Sequence, residues 1–192
     1  MGNLIYAALT SLDGFISDNK GKFDWAEPKE DVHSFVNELE LENGTLILGR
    51  KMYSILSVWE DIPNIISQPK YIKDYQSAWK KAKKIVFSSS LTEVTTTNTI
   101  LKRTLDKNEI ENIKKNESRN IGIGGATIAS QVLSYGLIDE VYQFIFPIMI
   151  GSGEKWLTNA EPINYIRIES REFENGVVML HYKVDVEPIL EG

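Results

Sequence analysis

The segment Asn120–Ser130 constrains the fold more than any other, because a short apolar run meets two glycines and then a helical pattern. Ile121 and Ile123 alternate with other residues as on a strand, and residues 126–135 have the pattern of a helix. Gly124-Gly125 permits a sharp turn and a close approach to a ligand. A strand–glycine–helix junction directs backbone N–H groups and the helix dipole at one point, which suits a phosphate, although a plain turn has the same pattern.

Size, charge and composition narrow the class of protein. The 192 residues fit one domain, 1–192, with a sizeable core. A net charge of −6 disfavours a nucleic-acid partner, and we interpret the lysines at 80, 81, 83 and 84 as a solvated helix face. The absence of cysteine suits a reducing cytoplasm. We expect no signal peptide, no membrane segment and no metal site, since His33 and His181 lack the spacing of metal ligands.

The remaining patterns predict alternating strands and helices. Gly44 is expected to end the first helix, and Asn175-Gly176 indicates a β-hairpin. The predicted fold class is α/β. We expect a three-layer α-β-α arrangement with a mostly parallel central sheet and antiparallel C-terminal edge strands. Helices are predicted at 28–41, from 50, at 71–81, 106–115 and 126–135, and strands at 4–9, 45–48, 84–87, 99–101, 120–123, 140–150, 163–173 and 177–185.

Polar or glycine-rich loops follow four of these strands, at the edge where such sheets bind ligands. They are residues 11–15, 49–52, 88–90 and 124–127. Arg50 and Lys51 begin a helix, where two cations oppose the helix dipole; either an anionic ligand offsets them or they are a solvated pair. Ser88, Ser89 and Ser90 either hold phosphate oxygens or form a polar turn.

Acidic residues cluster around Trp25 at the start of the first helix. They are Asp24, Glu27, Glu30 and Asp31. A carboxylate beside an apolar wall has a raised pKa and can donate a proton, whereas a solvated carboxylate there only favours the helix dipole. The spacing of these residues does not separate the two interpretations.

Taken together, the motifs resemble the dihydrofolate reductase-like superfamily, most closely the riboflavin-biosynthesis reductase branch that is similar to the RibD C-terminal domain. The resemblance covers nearly the whole chain. It rests on five segments in order: Ser11-Leu-Asp-Gly14, Leu48-Gly-Arg-Lys-Met-Tyr53, Ile85-Val-Phe-Ser-Ser-Ser90, Ile123-Gly-Gly-Ala-Thr127 and Phe146-Pro-Ile-Met-Ile-Gly-Ser-Gly153.

The resemblance implies a dihydrofolate reductase-like fold with NADPH as the hydride donor. It implies that Arg50, Lys51, Ser88 and Ser89 face the adenosine 2′-phosphate and that the Gly124–Gly125 peptide is cis. Asp13 to Ile16 would flank the nicotinamide. The full set of expected cofactor-binding residues is Asp13, Gly14, Phe15, Ile16, Gly49, Arg50, Lys51, Met52, Ser88, Ser89, Gly124, Gly125, Ala126, Thr127 and Ile128.

For the reaction, the resemblance implies hydride transfer to a C=N or C=O carbon of a small substrate. Glu30 or Asp31 would assist protonation, and we expect Trp25, Phe35 and Phe144 on the substrate side. The expected activity is related to 5-amino-6-(5-phosphoribosylamino)uracil reductase; a true dihydrofolate reductase or a non-catalytic nucleotide- or pterin-binding module are the alternatives. The branch also implies a homodimer through the C-terminal sheet. One departure is the acidic stretch 38–42, where the riboflavin branch carries arginines.

Overall fold

The computed structural model describes residues 1–185; residues 186–192, the end of the predicted domain, lie outside the described residues. The strands are β1 (Leu4–Thr10), β2 (Phe15–Asp18), β3 (Asn43–Gly49), β4 (Lys83–Phe87), β5 (Thr99–Lys102), β6 (Asn120–Gly124), β7 (Glu140–Ile145), β8 (Gly153–Lys155), β9 (Asn164–Glu172) and β10 (Val178–Asp185). The helices are α1 (Glu30–Glu42), α2 (Arg50–Leu56), α3 (Lys70–Lys81), α4 (Lys107–Asn116) and α5 (Ala126–Ser134).

Eight of the strands form one sheet in the order β5-β4-β3-β6-β1-β7-β10-β9. The first six strands in that order run parallel, and β10 and β9 pair antiparallel at the end. The mostly parallel sheet with antiparallel C-terminal edge strands is therefore confirmed. A separate ladder pairs β2 with β8, and the sequence patterns did not predict these two short strands.

Helices cover both faces of the sheet, which gives three layers. Alternate side chains of β3 point to opposite faces of the sheet. Leu46 and Leu48 belong to the apolar cluster that contains Trp79 of α3. Ile47 belongs to the cluster that contains Ile110 of α4. Val32 of α1 packs with Phe144 and Met179 on the α3 side. Buried apolar residues on both faces are typical of a parallel sheet between helices.

Most element boundaries follow the predicted signals, with two corrections. Asp106 caps α4 as expected, and its Oδ1 accepts the Glu109 N–H at 2.9 Å. Gly44, however, does not end the first helix: α1 ends at Glu42 and the extended Asn43 already begins β3, so Gly44 is a strand residue. The strand predicted over 140–150, with an interruption at Pro147, ends at Ile145, two residues before the proline, which cannot donate to a ladder.

Lys84 corrects the interpretation of the lysine run as a solvated face. Its side chain is fully buried, and Nζ donates to the Trp79 carbonyl at 2.7 Å and to the Ala82 carbonyl at 3.0 Å. These carbonyls lie at the C-terminal end of α3, where helix carbonyls have no partner within the helix. Burial lowers the pKa of the Lys84 ammonium. Lys80, Lys81 and Lys83 are exposed, as predicted.

The described part of the chain contains no helix that is long and apolar enough to cross a membrane. Within the same residues, no three His, Asp or Glu side chains come together as a set of metal ligands.

Candidate functional site

The candidate site lies along the edge of the sheet where the six parallel strands end. Register pairs Leu48 of β3 with Gly124 of β6, and Gly49 with Phe87 of β4. The loops that follow these strands are therefore neighbours. The predicted segments 11–15, 49–52, 88–90 and 124–127 all begin at this edge.

The glycine junction brings the first turns of α2 and α5 against each other. A Cβ on Gly124 would lie 2.7 Å from Leu48 Cδ2 and 2.9 Å from Met52 Cγ, and one on Gly125 would lie 3.6 Å from Met52 Cβ. Any side chain at residue 124 would therefore force its neighbours to move. Ala126 and Ile128 are buried, so only their backbone could reach a ligand, whereas Thr127 is exposed.

The expected cis peptide between Gly124 and Gly125 is wrong. The described residues contain no cis peptide bond, and Gly125 has φ = +109°. The chain makes its turn into α5 through this positive φ, which glycine adopts without a steric cost.

Arg50 and Ser89 are the open members of the predicted anion-binding set. Arg50 is the first residue of α2 and is exposed, as is Ser89 after β4. Lys51 is exposed as well, but its Nζ also lies 3.5 Å from the Glu154 carboxylate of β8. The Ser88 side chain is buried, and its Oγ accepts the Leu91 N–H at 2.9 Å. Ser88 therefore shapes the turn.

Arg103 joins this group, and the sequence patterns did not identify it. It follows β5, and its Nη1 donates to the Ser88 carbonyl at 3.2 Å and also to the Leu91 carbonyl. The guanidinium thus braces the serine turn and adds positive charge beside it. Arg103 directly follows a parallel strand, as Arg50 does, and this position in the sequence could have identified it as a residue of the site.

Asp13 ties two loops together on the other side of the glycine junction. One carboxylate oxygen accepts the Gly151 N–H at 2.7 Å, and the other accepts the Ser11 hydroxyl at 2.6 Å and the Ile150 N–H at 3.3 Å. The Ser11 hydroxyl, with the two backbone N–H groups, lowers the pKa of the Asp13 carboxyl. Asp13 therefore connects the loop after β1 to the loop after β7.

The β2–β8 ladder extends this connection. Gly14, Phe15 and Ile16 are half-buried at its start, and the Gly14 carbonyl accepts the Trp156 N–H at 3.1 Å. Gly153 of β8 lies so close to β2 that a Cβ would be 1.8 Å from the Ser17 carbonyl oxygen. Residue 153 must therefore be glycine for this ladder to form.

The two candidate acids differ in their surroundings. Glu30 is exposed on the first turn of α1. Asp31 is half-buried, and its carboxylate accepts the Glu174 N–H at 3.0 Å, which ties α1 to the β9–β10 hairpin. Asp31 thus has a structural partner, whereas the Glu30 carboxylate faces solvent.

The three expected substrate contacts are not equivalent. Phe144 is fully buried, with its ring 5.9 Å from that of Phe35, so it supports the core and cannot touch a substrate. Phe35 is half-buried beneath the Arg171 guanidinium, 5.0 Å from its ring. Trp25 packs on Phe146, and its buried indole N–H has no acceptor among the described residues. An unpaired buried donor is costly unless water or a ligand accepts from it.

An aromatic cluster lies between α1 and α3, near Glu30. The ring of His33 is 5.0 Å from that of Tyr71, 5.5 Å from that of Tyr75 and 5.8 Å from that of Trp59. His33 Nδ1 lies 3.0 Å from Asn37 Oδ1. Burial lowers the pKa of His33, so its ring favours the neutral form.

Comparison with known proteins agrees with this architecture. The family model of the RibD C-terminal domain matches residues 3–179. Uncharacterized protein YyaP of Bacillus subtilis (strain 168) is 27% identical over 183 residues, which are 93% of each chain. A solved structure of a proposed riboflavin biosynthesis protein from Shewanella sp. PV-4 superposes with a TM-score of 0.71 at 22% identity, over 96% of this chain and 99% of that one. Dihydrofolate reductase from Enterococcus faecalis, solved with NADP(H), gives 0.65 at 13% identity, over 96% and 97%.

Proposed function

Because the chain belongs to the RibD C-terminal domain family, we propose that it is an NADPH-dependent reductase. Hydride would pass from the nicotinamide to a C=N or C=O carbon of a small heterocyclic or carbonyl substrate, in a reaction related to that of 5-amino-6-(5-phosphoribosylamino)uracil reductase. The dihydrofolate reductase-like fold and the neighbour solved with NADP(H) support this proposal.

The observation that carries the proposal is the contact between the first turns of α2 and α5 at the glycine junction. Gly124 has no room for a side chain because Leu48 and Met52 fill that space, and Gly125 turns the chain through its positive φ so that α5 begins at this edge. Arg50, Ser89 and Arg103 lie at the same edge of the sheet; the two guanidinium groups bring positive charge for a phosphate, and Ser89 adds a hydroxyl donor. These residues fit a dinucleotide whose pyrophosphate lies along the glycines and whose 2′-phosphate lies towards Arg50.

Titration with NADPH, followed by nicotinamide fluorescence, tests the cofactor assignment. We expect saturable binding below 1 mM. Arg50→Ala should weaken NADPH by about tenfold, which is the effect of ~1.4 kcal/mol, and should leave NADH nearly unchanged. Lys115→Ala, at the far end of α4, is the control. Equal weakening of NADPH and NADH would contradict the role of Arg50, and no saturable binding of NADPH would contradict the proposal.

For the proton, we propose that Glu30 assists through water, because its carboxylate faces solvent rather than an apolar wall. Its carboxylate is free of the backbone contact that holds Asp31. Glu30→Gln should lower kcat by about 10²-fold, the scale of general acid catalysis, with the cofactor affinity unchanged. Asp31→Asn should mainly lower stability. The reverse pattern would assign the proton to Asp31.

We also propose that the protein works in the cytoplasm as a homodimer formed through β9. All nine residues of β9 are exposed, and Ile166 and Ile168 have more than half of their surface open to solvent. A long, exposed edge strand that carries apolar side chains is a surface that pairs with another chain. If NADPH binds but no heterocyclic or carbonyl substrate is reduced, a non-catalytic nucleotide-binding module becomes the better assignment.

A further inference from the structure

The neighbouring strands β3 and β6 are followed by helices that pack on opposite faces of the sheet. Tyr53 of α2 is buried in the apolar cluster on the α3 side. Ala129 of α5 is buried in the cluster on the α4 side. Such a change of side opens a crevice between the ends of two strands, and ligands of α/β sheets bind in crevices of this kind. The glycine junction lies at this crevice, where the proposed cofactor would bind.

An ion pair spans the crevice. Lys51 in the first turn of α2 reaches Glu154 of β8, and its Nζ lies 3.5 Å from the carboxylate. Helix α2 follows β3, whereas β8 pairs with β2, which follows β1, and the sheet order places β6 between β3 and β1. Because neighbouring strands are about 4.8 Å apart, the pair connects chain segments that leave the sheet about 10 Å from each other. It therefore crosses the end of β6, where the glycines lie.

The two members of this pair differ in their freedom to move. Glu154 lies in the β2–β8 ladder, and close to it the Trp156 N–H donates to the Gly14 carbonyl at 3.1 Å. The backbone that carries the carboxylate is therefore held in place. The Lys51 side chain is 75% exposed, against 35% for that of Glu154. A lysine ammonium on a flexible stem can thus change its partner without any movement of the backbone.

The exposure of the pair makes it easy to break. Exposed ion pairs contribute little to stability, whereas a diphosphate brings two negative charges to the same ammonium. When no ligand is bound, Lys51 neutralises Glu154. When a diphosphate lies along the glycines, the Glu154 carboxylate competes for the ammonium and repels the phosphates. Arg50 and Arg103 have no such competitor, since neither forms an ion pair with a carboxylate in residues 1–185.

We propose that Glu154 limits the affinity for the cofactor because it competes with the diphosphate for Lys51. Lys51 leaves the carboxylate when the dinucleotide binds and returns to it when the dinucleotide dissociates. This inference rests on the proposed reductase function and adds a device that regulates binding and release at the same site. NADPH and NADH share the diphosphate, so Glu154 acts on both, whereas Arg50 distinguishes between them.

Glu154→Gln tests the proposal, because it keeps the shape of the side chain and removes the charge. Titration followed by nicotinamide fluorescence should show that NADPH and NADH each bind about fivefold more tightly, an effect on the scale of one exposed ion pair. Dissociation of NADP⁺, measured by stopped-flow displacement, should become slower. Glu161→Gln removes an exposed carboxylate farther along the loop after β8 and is the matched control, with unchanged binding.

Unchanged or weaker binding of NADPH by Glu154→Gln would overturn the proposal, since weaker binding would mean that Glu154 positions Lys51 for the cofactor. Failure of the parent protein to bind NADPH would instead count against the reductase function. Glu154→Asp gives an independent variant, because it keeps the charge but withdraws it from Lys51. It should also tighten NADPH, by less than Glu154→Gln does, and weaker binding by it would contradict the competition.

A double-mutant cycle with Lys51→Gln separates competition from simple repulsion. If Glu154 acts through Lys51, the gain from Glu154→Gln should fall to less than about twofold when Lys51 is already glutamine, because an exposed charge without its partner has little effect. An equal gain in both backgrounds would show that the carboxylate only repels the phosphates, and the proposal would fail. Urea unfolding of each variant establishes that it is folded before binding is compared.

Discussion

Asp13 shows how a single carboxylate can hold together two loops at the edge of the sheet where the parallel strands end. It accepts hydrogen bonds from Ser11, Ile150 and Gly151 and so holds the loops after β1 and β7 together. The exposed apolar side chains of Leu12 and Met149 lie on these two loops. The carboxylate thus acts as a positioning group for the loops that border the proposed nicotinamide site.

Asp13→Asn is expected to loosen this connection, because an amide presents one acceptor oxygen where the carboxylate presents two. The kcat/KM of the proposed reductase should fall about tenfold, within the ~100-fold loss that a misplacement of 1 Å can cause. Thermolysin, which cuts before apolar residues, should also cut more rapidly near residues 148–152, where Ile148, Met149 and Ile150 lie. Glu111→Gln on α4 is the control. Unchanged proteolysis and kinetics would show that the loops do not depend on Asp13.

Lys84 carries a prediction about stability. Lys84→Met keeps the length of the side chain but leaves the Trp79 and Ala82 carbonyls without the ammonium donor. The free energy of unfolding in urea should fall by ~1–3 kcal/mol, the cost of unsatisfied buried acceptors. Lys83→Met, one residue earlier and exposed, should change it by less than ~0.5 kcal/mol. If Lys84→Met is as stable as the parent, the free-energy cost of desolvating the ammonium equals the free energy that its hydrogen bonds contribute.

Lys84 and Arg103 mark the limit of sequence reasoning at the residue scale. Residues with local signals were placed correctly, such as Asp106 at the start of α4 and Arg50 at the start of α2. Lys84 looks like any other lysine in a basic run, and its burial depends on how α3 packs on β4. Arg103 acquires its role only because β5 lies beside β4, a pairing of distant segments.

At the scale of elements, α1 and α3 meet through the aromatic cluster around His33. Burial lowers the pKa of this histidine below its ordinary value of 6.5, while the unfolded chain keeps that value. The unfolded state therefore binds more protons below pH 6.5, and the free energy of unfolding should decrease as the pH falls from 6.5 towards the folded pKa.

His33→Gln is the variant that isolates this effect. Urea unfolding at pH 7.5 and pH 5.5 should show a smaller difference in the variant than in the parent, although its stability at pH 7.5 is also lower through lost ring contacts. His181→Gln, in β10, serves as the second histidine variant for comparison. An unchanged pH dependence in His33→Gln would assign the loss of stability to other groups.

The elements that could be predicted from the sequence are those whose own residues form a long apolar run or a periodic apolar face. Strands β3, β4 and β6 and helices α1, α3 and α5 have apolar runs or periodic faces that identify them. Strands β2 and β8 are four and three residues long, and they form only because Gly153 lets two backbones meet. A glycine after a helical pattern predicts a helix stop, yet at Gly44 the strand register begins one residue earlier, at Asn43.

At the scale of the whole molecule, β9 gives a prediction about assembly. Light scattering after size-exclusion chromatography should give a mass twice the 21.8 kDa of one chain. Ile166→Glu should weaken association at least tenfold, about 1.4 kcal/mol, because it places a charge on the apolar edge. Ile100→Glu on β5, the opposite edge of the same sheet, is the matched control and should leave the mass unchanged. A single-chain mass for the parent protein would contradict the proposed dimer.

The direct passage from α1 into β3 has a mechanical consequence for ligand capture. No residue lies between the end of α1 at Glu42 and the start of β3 at Asn43 to act as a hinge. The helix therefore cannot tilt unless the strand moves with it. Closure around a ligand is therefore left to the spans 11–14 and 146–152. Amide hydrogen exchange should reflect this division. We expect slow exchange that does not respond to ligand at residues 43–47. At residues 148–152 exchange in the free protein should be faster than at 43–47, and cofactor binding should slow it.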